Sequence, residues 1–390
     1  MKQEDISKKV FIRTLGCQMN ARDSEVICGI LGKAGYKIID LPEEADVIIF
    51  NTCSVRQHAE EKVWSEIGRI SKRFKKQGQS PSGTVPVIGL VGCMAQNYKE
   101  GIFERSPHVS FVVGPQDIHR IPEIAERLIS DRRIVRCAPL RKIWETDGEI
   151  RPEEIYHAGF YKDKEHAFVV ISEGCSNFCS YCIVPYVRGL LRHRNYKDII
   201  QEIEEAVKNN KTKITLLGQN VNAYESQINF IGLLKLINKI KGLKEFSFVT
   251  SHPKDTSKEL FKVMNELDNL KKCLHLPIQS GSDRVLKLMN RQYSVNAYID
   301  LAKEFRKIIK NGVLTTDIIV GFPTEAEEDF MATYDLMKKL KFDGAYIFKY
   351  SVRPHTEAAK MVDDIPRHEK EKRHQLILEL QKNISKRKKC

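Results

Sequence analysis

The chain has 390 residues, 42% apolar and 29% charged, which excludes a wholly disordered protein. That length predicts two to three domains, each with a buried core. Lys+Arg 64 against Asp+Glu 51 leaves a net charge of +13, which admits nucleic acid or another anionic partner. No run approaches the ~20 apolar residues of a membrane span, so no membrane partner is expected. The polar start MKQEDISKKV lacks the apolar core of a signal peptide. A cytoplasmic location follows, where thiols stay reduced. The ten cysteines are too sparse for a disulfide scaffold, so metal binding, catalysis or core packing must account for them.

In chain order, VFIRTLG, DVIIFNT, VPVIGLVG and VSFVVG read as buried strands. Helical patterns at 23–34 and 59–74 lie between them. The alternation predicts an open parallel sheet with helices on both faces, Rossmann- or flavodoxin-like. QGQSPSG (77–83) reads as a loop. The irregular stretch KIWETDGEIRPEE sets the expected domains at 1–150 and 151–390. Beyond it, strands are expected at 167–172, 213–218, 245–250, 273–278, 314–321 and 344–350. Helices are expected near 197–209, 229–240, 256–267, 295–310, 326–340 and 367–385. Six strand-helix units predict a partial (β/α)6 barrel, with chemistry at the carboxyl ends of the strands. Residues 1–150 carry 23 basic and 20 acidic side chains, so +10 of the net charge falls on the second part.

Cys175, Cys179 and Cys182 form C-x3-C-x2-C in a loop just past the first strand of the second domain. Three thiolates so placed can face one metal centre. A four-iron cluster normally takes four thiolates, so three leave one iron open to a ligand. The alternative is a zinc knuckle completed by His193 or His275. Cys17, Cys53 and Cys93 each follow the carboxyl end of a predicted parallel strand. Those ends line one edge of an open sheet, so three thiols distant in sequence can converge there. Gly16, Thr52 and Gly92 before them allow tight turns and close approach. The alternative is three buried cysteines packed as small hydrophobes. Cys28, on an apolar helix stripe, Cys137, Cys273 and Cys390 read as structural or incidental.

With Tyr181 before the last Cys of the loop and six (β/α) units around it, the second domain resembles the radical S-adenosylmethionine (SAM) superfamily. Over nearly the whole chain the motifs resemble the radical SAM methylthiotransferases. They are TLGCQMNARDSE, NTCSVRQHAEEKV, GLVGCMAQ, GCSNFCSYCIVPYVRG, LLGQNVNAY, HLPIQSGSDRVLKLMNR, DIIVGFPTE and KYSVRPHTEAA. Gln18, Met19, Ser54 and Arg56 resemble the MiaB type rather than the threonylcarbamoyladenosine or ribosomal-protein subfamilies. The resemblance implies transfer of a methylthio group to C2 of N6-isopentenyladenosine at position 37 of tRNA, with two SAM and two [4Fe–4S] clusters. One cluster falls to Cys17, Cys53 and Cys93 and carries the sulfur. The other falls to Cys175, Cys179 and Cys182 and cleaves SAM to a radical, which suits an unreactive aromatic C–H bond. The partners implied are a tRNA anticodon stem-loop, an electron donor and a sulfur donor.

By the strand-end rule, Gln219, Asn220, Gln279, Ser280 and Glu325 are candidate SAM contacts. Tyr181 takes the place near the adenine. Polar strand-end residues also serve as plain loop caps, and His252 and His275 read as hydrogen-bonded structural residues. Arg188, Arg192 and Arg194 are the candidate RNA contacts, against a solvated basic turn. Three features depart from the family. RGxExSR reads RGLLRHR here, with Leu191 and His193 at the acid and Ser positions. RPGT reads RPHT, with His355 at the Gly position. The C-terminal TRAM β-barrel is expected to be absent. Two rival readings stand beside this one: methylthiolation of N6-threonylcarbamoyladenosine, and a non-catalytic iron–sulfur RNA-binding protein.

Overall fold

Every residue of Val47–Thr52 and Val87–Gly92 is buried, the pattern of central strands in a sheet covered on both faces. In this computed structural model, which describes residues 7–54, 57–77, 86–134, 142–148 and 150–387, they lie mid-sheet in the first of two units. The first unit comprises Met1–Asp163 with Tyr186–Gly189, and the second comprises Lys164–Pro185 with Leu190–Cys390.

The first unit is built on β1 (Lys9–Leu15), β2 (Lys37–Ile39), β3 (Val47–Thr52), β4 (Val87–Gly92), β5 (Phe111–Val113) and β6 (Ile143–Glu145). They pair in parallel in the order β2-β1-β3-β4-β5-β6. The helices are α1 (Gln18–Lys33), α2 (Gln57–Gln77), α3 (Cys93–Tyr98), α4 (Gly101–Arg105) and α5 (Ile121–Ile134). Phe50, Ile67, Leu90, Met94 and Val112 fill one core of this unit. Strands β2 and β6, three residues each and partly exposed, have too little apolar pattern to be read from sequence. Most of the 77–83 loop lies outside the described residues.

The expected boundary at Ile150 falls inside this unit. Composition there is polar, but Arg151 is buried and ion-paired to Asp23. The short turn Glu153–His157 buries Tyr156, whose carbonyl accepts from Arg22 Nη2 at 2.8 Å. The chain therefore stays on the first unit until Asp163.

A short helix, α6 (Val184–Arg188), ends within Tyr186–Gly189. The second unit holds β7 (His166–Val170), β8 (Ser172–Glu173), β9 (Arg192–His193), β10 (Lys213–Leu217), β11 (Glu245–Phe248), β12 (Cys273–His275), β13 (Val313–Val320) and β14 (Gly344–Lys349). Six of them are parallel, in the runs β11-β10-β7 and β12-β13-β14, and a parallel bridge Phe246–Leu270 leads from one run toward the other. The last two, β8 and β9, form a small antiparallel pair. Around the parallel strands run α7 (Tyr196–Lys208), α8 (Phe230–Ile237), α9 (Lys258–Glu266), α10 (Asp283–Leu288), α11 (Val295–Ile308), α12 (Glu327–Leu340) and α13 (Arg367–Arg387). This is the partial six-unit barrel, with α10 as an addition the pattern did not show. Side-chain caps open several helices: Asn195 on α7, Asn229 on α8, Ser257 on α9 and Ser294 on α11. Among the described residues no helix is long and apolar enough to cross a membrane.

Candidate active site

Three adjacent strands of the first unit end level with one another: Leu15 pairs with Thr52, and Thr52 with Gly92. Cys17, Cys53 and Cys93 follow immediately, so sheet register alone brings the three to one edge. Cys53 and Cys93 are buried and Cys17 is exposed. Cys17 precedes the first turn of α1, whose dipole favours a thiolate. Its hydrogen bond with Cys53 lowers its pKa to about 6; loss of hydration around the sulfur opposes this, while the charge of Arg188 and the Asn20 and Met19 amides assist. Burial pushes Cys93 the other way, above the ordinary thiol range.

Gly92 lies at φ +92, and a Cβ there meets Asn51 Oδ1 at 2.6 Å and the Thr52 carbonyl at 2.8 Å. A Cβ on Gly16 meets Asn20 Oδ1 at 2.5 Å. The small residues thus make room for two buried asparagines. Asn20 Oδ1 accepts from the Cys17 amide at 3.4 Å and lies 3.3 Å from its Sγ. Beyond them, Asp23 is buried between Arg151 and Arg188, with an N–O distance of 2.7 Å to each. The Arg188 Nε donates to Cys93 Sγ at 3.2 Å. The motif TLGCQMNARDSE contains Asn20 and Asp23, but no local spacing announces their partners Asn51, Arg151 and Arg188.

In the second unit, Cys175, Cys179 and Cys182 follow β8. Their loop hangs on the segment that closes α10. Ser180 N donates to the Met289 carbonyl at 3.0 Å and Ser180 Oγ to the Leu288 carbonyl at 2.8 Å. Asn290 Nδ2 donates to the Phe178 carbonyl at 3.0 Å. Arg291 is buried; its Nη1 reaches Cys179 Sγ at 3.3 Å and Tyr181 Oη at 3.4 Å, and its Nη2 the Pro277 carbonyl at 2.9 Å. Burial raises the Cys182 thiol to about 12, and the Cys179 charge adds to it. Asn290 and Arg291 stand in the motif HLPIQSGSDRVLKLMNR, yet nothing in their spacing tied them to the cysteine loop.

Five buried polar atoms at the carboxyl ends of β7, β10 and β11 have no hydrogen-bond partner: Ser172 Oγ, Gln219 Oε1, Asn220 Oδ1, Ser251 Oγ and His252 Nε2. Burial, with Arg291 and Lys254 nearby, lowers His252 to about 2, so its ring is neutral. Unsatisfied buried groups are costly and call for a polar ligand. Gln219 and Asn220 belong to this set, and Asn220 Nδ2 also holds Asp255 at 2.7 Å. Gln279 is buried at φ +72, with its main chain tied to Asp317 and Ile319.

Other predicted positions sit differently. Ser280 Oγ accepts from the Ser282 amide at 3.2 Å and meets Thr333 Oγ1, so it caps a loop. Glu325 turns inward, accepting from Gly321 N at 2.9 Å and Arg373 Nη1 at 2.7 Å. Both side chains are hydrogen-bonded within the fold. Arg188 and Arg194 are buried, each drawn onto carboxylates. Arg194 pairs with Asp198 and, at 2.5 Å, with Glu202. Arg192 alone of the three is partly exposed, 3.6 Å from Glu173. His193 Nδ1 accepts weakly from Glu225 N at 3.5 Å, and His275 sits between Thr315 at 3.0 Å and Asp317 at 3.4 Å. His275 is engaged on the barrel strand β12, and His193 on the β8–β9 pair. Arg56, Cys137 and Cys390 lie outside the described residues.

Among the described residues no group of three or more His, Cys, Asp or Glu is drawn tightly enough to hold a single ion. A four-iron cluster asks for something wider, one thiolate on each of several irons. Each triad supplies soft sulfur donors beside a buried arginine, Arg188 in one and Arg291 in the other, and the unsatisfied atoms of the barrel suit a polar ligand. These donor sets fit clusters and SAM.

Residues 9–114 match a family model described as "Uncharacterized protein family UPF0004", and residues 169–337 one described as "Radical SAM superfamily". A tRNA-2-methylthio-N(6)-dimethylallyladenosine synthase of Clostridium perfringens (strain 13 / Type A) is 43% identical over 374 residues, 93% of this chain and 80% of its own. The protein of that name from Thermodesulfovibrio yellowstonii is 41% identical over 382 residues, 98% of this chain and 85% of its own. In fold the chain is similar to the radical SAM methyltransferase TsrM from Kitasatospora setae, solved with cobalamin and a [4Fe-4S] cluster bound. The TM-score is 0.62 at 13% identity, over 91% of this chain and 74% of that one.

Fold and sequence define a radical SAM protein with an added N-terminal α/β domain. More narrowly, the chain belongs to the MiaB-type family of tRNA-2-methylthio-N(6)-dimethylallyladenosine synthases. Membership of that family implies SAM and [4Fe–4S] clusters as its cofactors.

Proposed function

We propose that the protein is a tRNA methylthiotransferase acting on C2 of N6-isopentenyladenosine at position 37, in the anticodon stem-loop. The observation that carries this reading is the second thiol triad: Cys17, Cys53 and Cys93 brought to one sheet edge, in addition to the barrel triad. Reductive cleavage of bound SAM supplies a radical able to attack an aromatic C–H bond, and the auxiliary cluster supplies the sulfur. The chain's own part is to bind, orient and exclude water. Cys175, Cys179 and Cys182 hold one cluster, with Arg291 against Cys179. The unsatisfied atoms of Gln219, Asn220 and His252 receive the polar groups of SAM, and Tyr181 lies by its adenine. Position 37 sits in a single-stranded loop, where a base can be splayed out for reaction. Of Arg188, Arg192 and Arg194, Arg192 is the one left to meet a phosphate. An electron donor and a sulfur donor complete the partners, and the cytoplasm is where tRNA and reduced thiols meet.

Mass spectrometry of nucleosides from bulk tRNA, with and without the gene, tests the reading. Loss of 2-methylthio-N6-isopentenyladenosine on deletion, restored by the wild-type gene, is the expected result. An unchanged level overturns it, and selective loss of the methylthiolated threonylcarbamoyl nucleoside assigns the substrate of the sister subfamily instead.

A further inference from the structure

Arg188 stands in a segment whose basic residues suggested an RNA surface, yet its side chain is only 3% exposed. Its guanidinium has two jobs at once. The Nη2 reaches Asp23 Oδ2 at 2.7 Å, and the Nε donates to Cys93 Sγ at 3.2 Å. Asp23 Oδ1 in turn takes Arg151 Nη1 at 2.7 Å, and Arg151 Nη2 is fixed on the Pro115 carbonyl at 2.6 Å. The main chain is tied too, with Gln116 Nε2 donating to the Arg188 carbonyl at 3.4 Å. The fork is therefore clamped from behind and aimed at sulfur.

We propose that Arg188 is a positioning residue for the cluster bound by Cys17, Cys53 and Cys93, giving the Cys93 thiolate an N–H···S hydrogen bond while Asp23 and Arg151 hold the guanidinium in line. This rests on the cluster reading above. Two arginines and one aspartate bring a summed charge of +1 beside the sulfurs. A buried positive charge is costly unless an anion faces it, and deprotonated cluster ligands are such anions. Arginine suits the place because its planar fork serves carboxylate and sulfur together, which a lysine ammonium does less well. Hydrogen bonds and charge at cluster sulfurs set the reduction potential. Loss of this donor therefore moves the cluster to a more negative potential.

The test uses the full chain with Cys175, Cys179 and Cys182 replaced by Ala, so that only the auxiliary cluster is read. After anaerobic reconstitution this protein should hold about four irons. In it, Arg188→Gln should shift the cluster midpoint, followed by electron paramagnetic resonance in a redox titration, to a more negative value. Arg188→Lys, which keeps the charge, should recover part of the shift. A midpoint and iron content unchanged in Arg188→Gln overturn the proposal while leaving the cluster reading intact. A parent protein that binds no iron overturns both. If both Arg188 variants lose their far-UV ellipticity, Asp23→Asn decides, since it keeps Arg188 and loosens its clamp. A midpoint shifted to a more negative value there supports the proposal, since losing the Asp23 charge alone would move it the other way, and an unshifted or more positive one refutes it.

Discussion

Asn20 and Asn51 hold each other across the carboxyl edge of the first sheet. Asn20 Nδ2 donates to Asn51 Oδ1 at 3.0 Å, and Asn51 Nδ2 returns a bond to the Asn20 carbonyl at 2.8 Å. Both side chains are fully buried. The pair joins the start of α1 to the end of β3, the two places from which Cys17 and Cys53 project. Asn51→Leu removes a partner of one Asn20 N–H, of the Asn20 carbonyl and of Ser24 Oγ, leaving Asn20 Nδ2 only the Thr52 carbonyl at 3.1 Å, at a cost of about 3 kcal/mol. Urea denaturation of the apo protein should show that loss. Reconstituted iron should fall from about eight toward about four as the auxiliary triad loses its frame.

The two triads should separate cleanly. Cys17, Cys53 and Cys93 replaced together by Ala should leave about four irons and a protein that still cleaves SAM on reduction, but makes no methylthio nucleoside. Replacing Cys175, Cys179 and Cys182 should also leave about four irons, with SAM cleavage abolished. Iron analysis and chromatography of 5′-deoxyadenosine check both arms. About eight irons retained in either variant would refute the assignment of that triad.

Much of this site was legible beforehand because parallel strands translate sequence into position. A cysteine directly after a buried strand must sit at the carboxyl edge, so Cys53 and Cys93 could be placed together from a reading of two strands. The central strands β3 and β4 were visible because they open on runs of apolar residues, whereas β2 and β6 are short, partly exposed edge strands. What the pattern could not carry was the destination of polar side chains. Arg188, Arg192 and Arg194 look alike in a string of letters, yet two are buried on carboxylates and one is not. A buried ion pair depends on a partner distant in sequence, here Asp23 for Arg188, and no periodicity reports it. At Ser280 and Glu325 the strand-end rule gave position, but not that their side chains also hydrogen-bond back into the fold.

Arg291 is the corresponding basic residue of the barrel. Its Nε donates to Tyr293 Oη at 2.9 Å, so the whole fork is engaged while Nη1 lies 3.3 Å from Cys179. Arg291→Met keeps a flexible, unbranched apolar stem but removes the donors and charge. Without these charge-assisted hydrogen bonds, SAM cleavage should slow by about ten- to a hundredfold. Production of 5′-deoxyadenosine under reducing conditions measures it, and a rate equal to wild type would show that the approach to Cys179 is idle.

Asp329 offers a prediction with a pH sign. It lies in the first turn of α12, where its Oδ2 accepts from the Ala326 amide at 2.9 Å and its Oδ1 from Ser282 Oγ at 2.5 Å. Arg284 adds an ion pair, half exposed and worth less. Burial pushes the carboxyl up, but the hydrogen bonds from Arg284, Ser282 and Ala326 win and leave it below its ordinary value. A carboxyl depressed in the folded state stabilises the fold above its unfolded pKa, and that stability is lost as pH falls through the folded value. Asp329→Ala should therefore cost about 2 kcal/mol at pH 7. The gap to wild type should begin to close below about pH 4. A gap independent of pH would mean the carboxylate charge is irrelevant.

His355 occupies a position with φ +68, the left-handed region where a Cβ is crowded. The family motif this chain resembles reads RPGT, and the backbone at His355 holds the conformation a glycine there would favour. The imidazole is exposed, so little packing repays the strain. The left-handed conformation costs a non-glycine residue about 1–2 kcal/mol, while glycine gives back about 0.5–1 kcal/mol through greater freedom of the unfolded chain. His355→Gly should then be stabilising by up to about 1 kcal/mol. For a barrel of this size that is a rise of a few degrees in melting temperature, about 2–4 °C at most. Thermal unfolding of the apo protein reads it directly. A fall in melting temperature instead would mean that the histidine ring contributes a contact that outweighs its backbone.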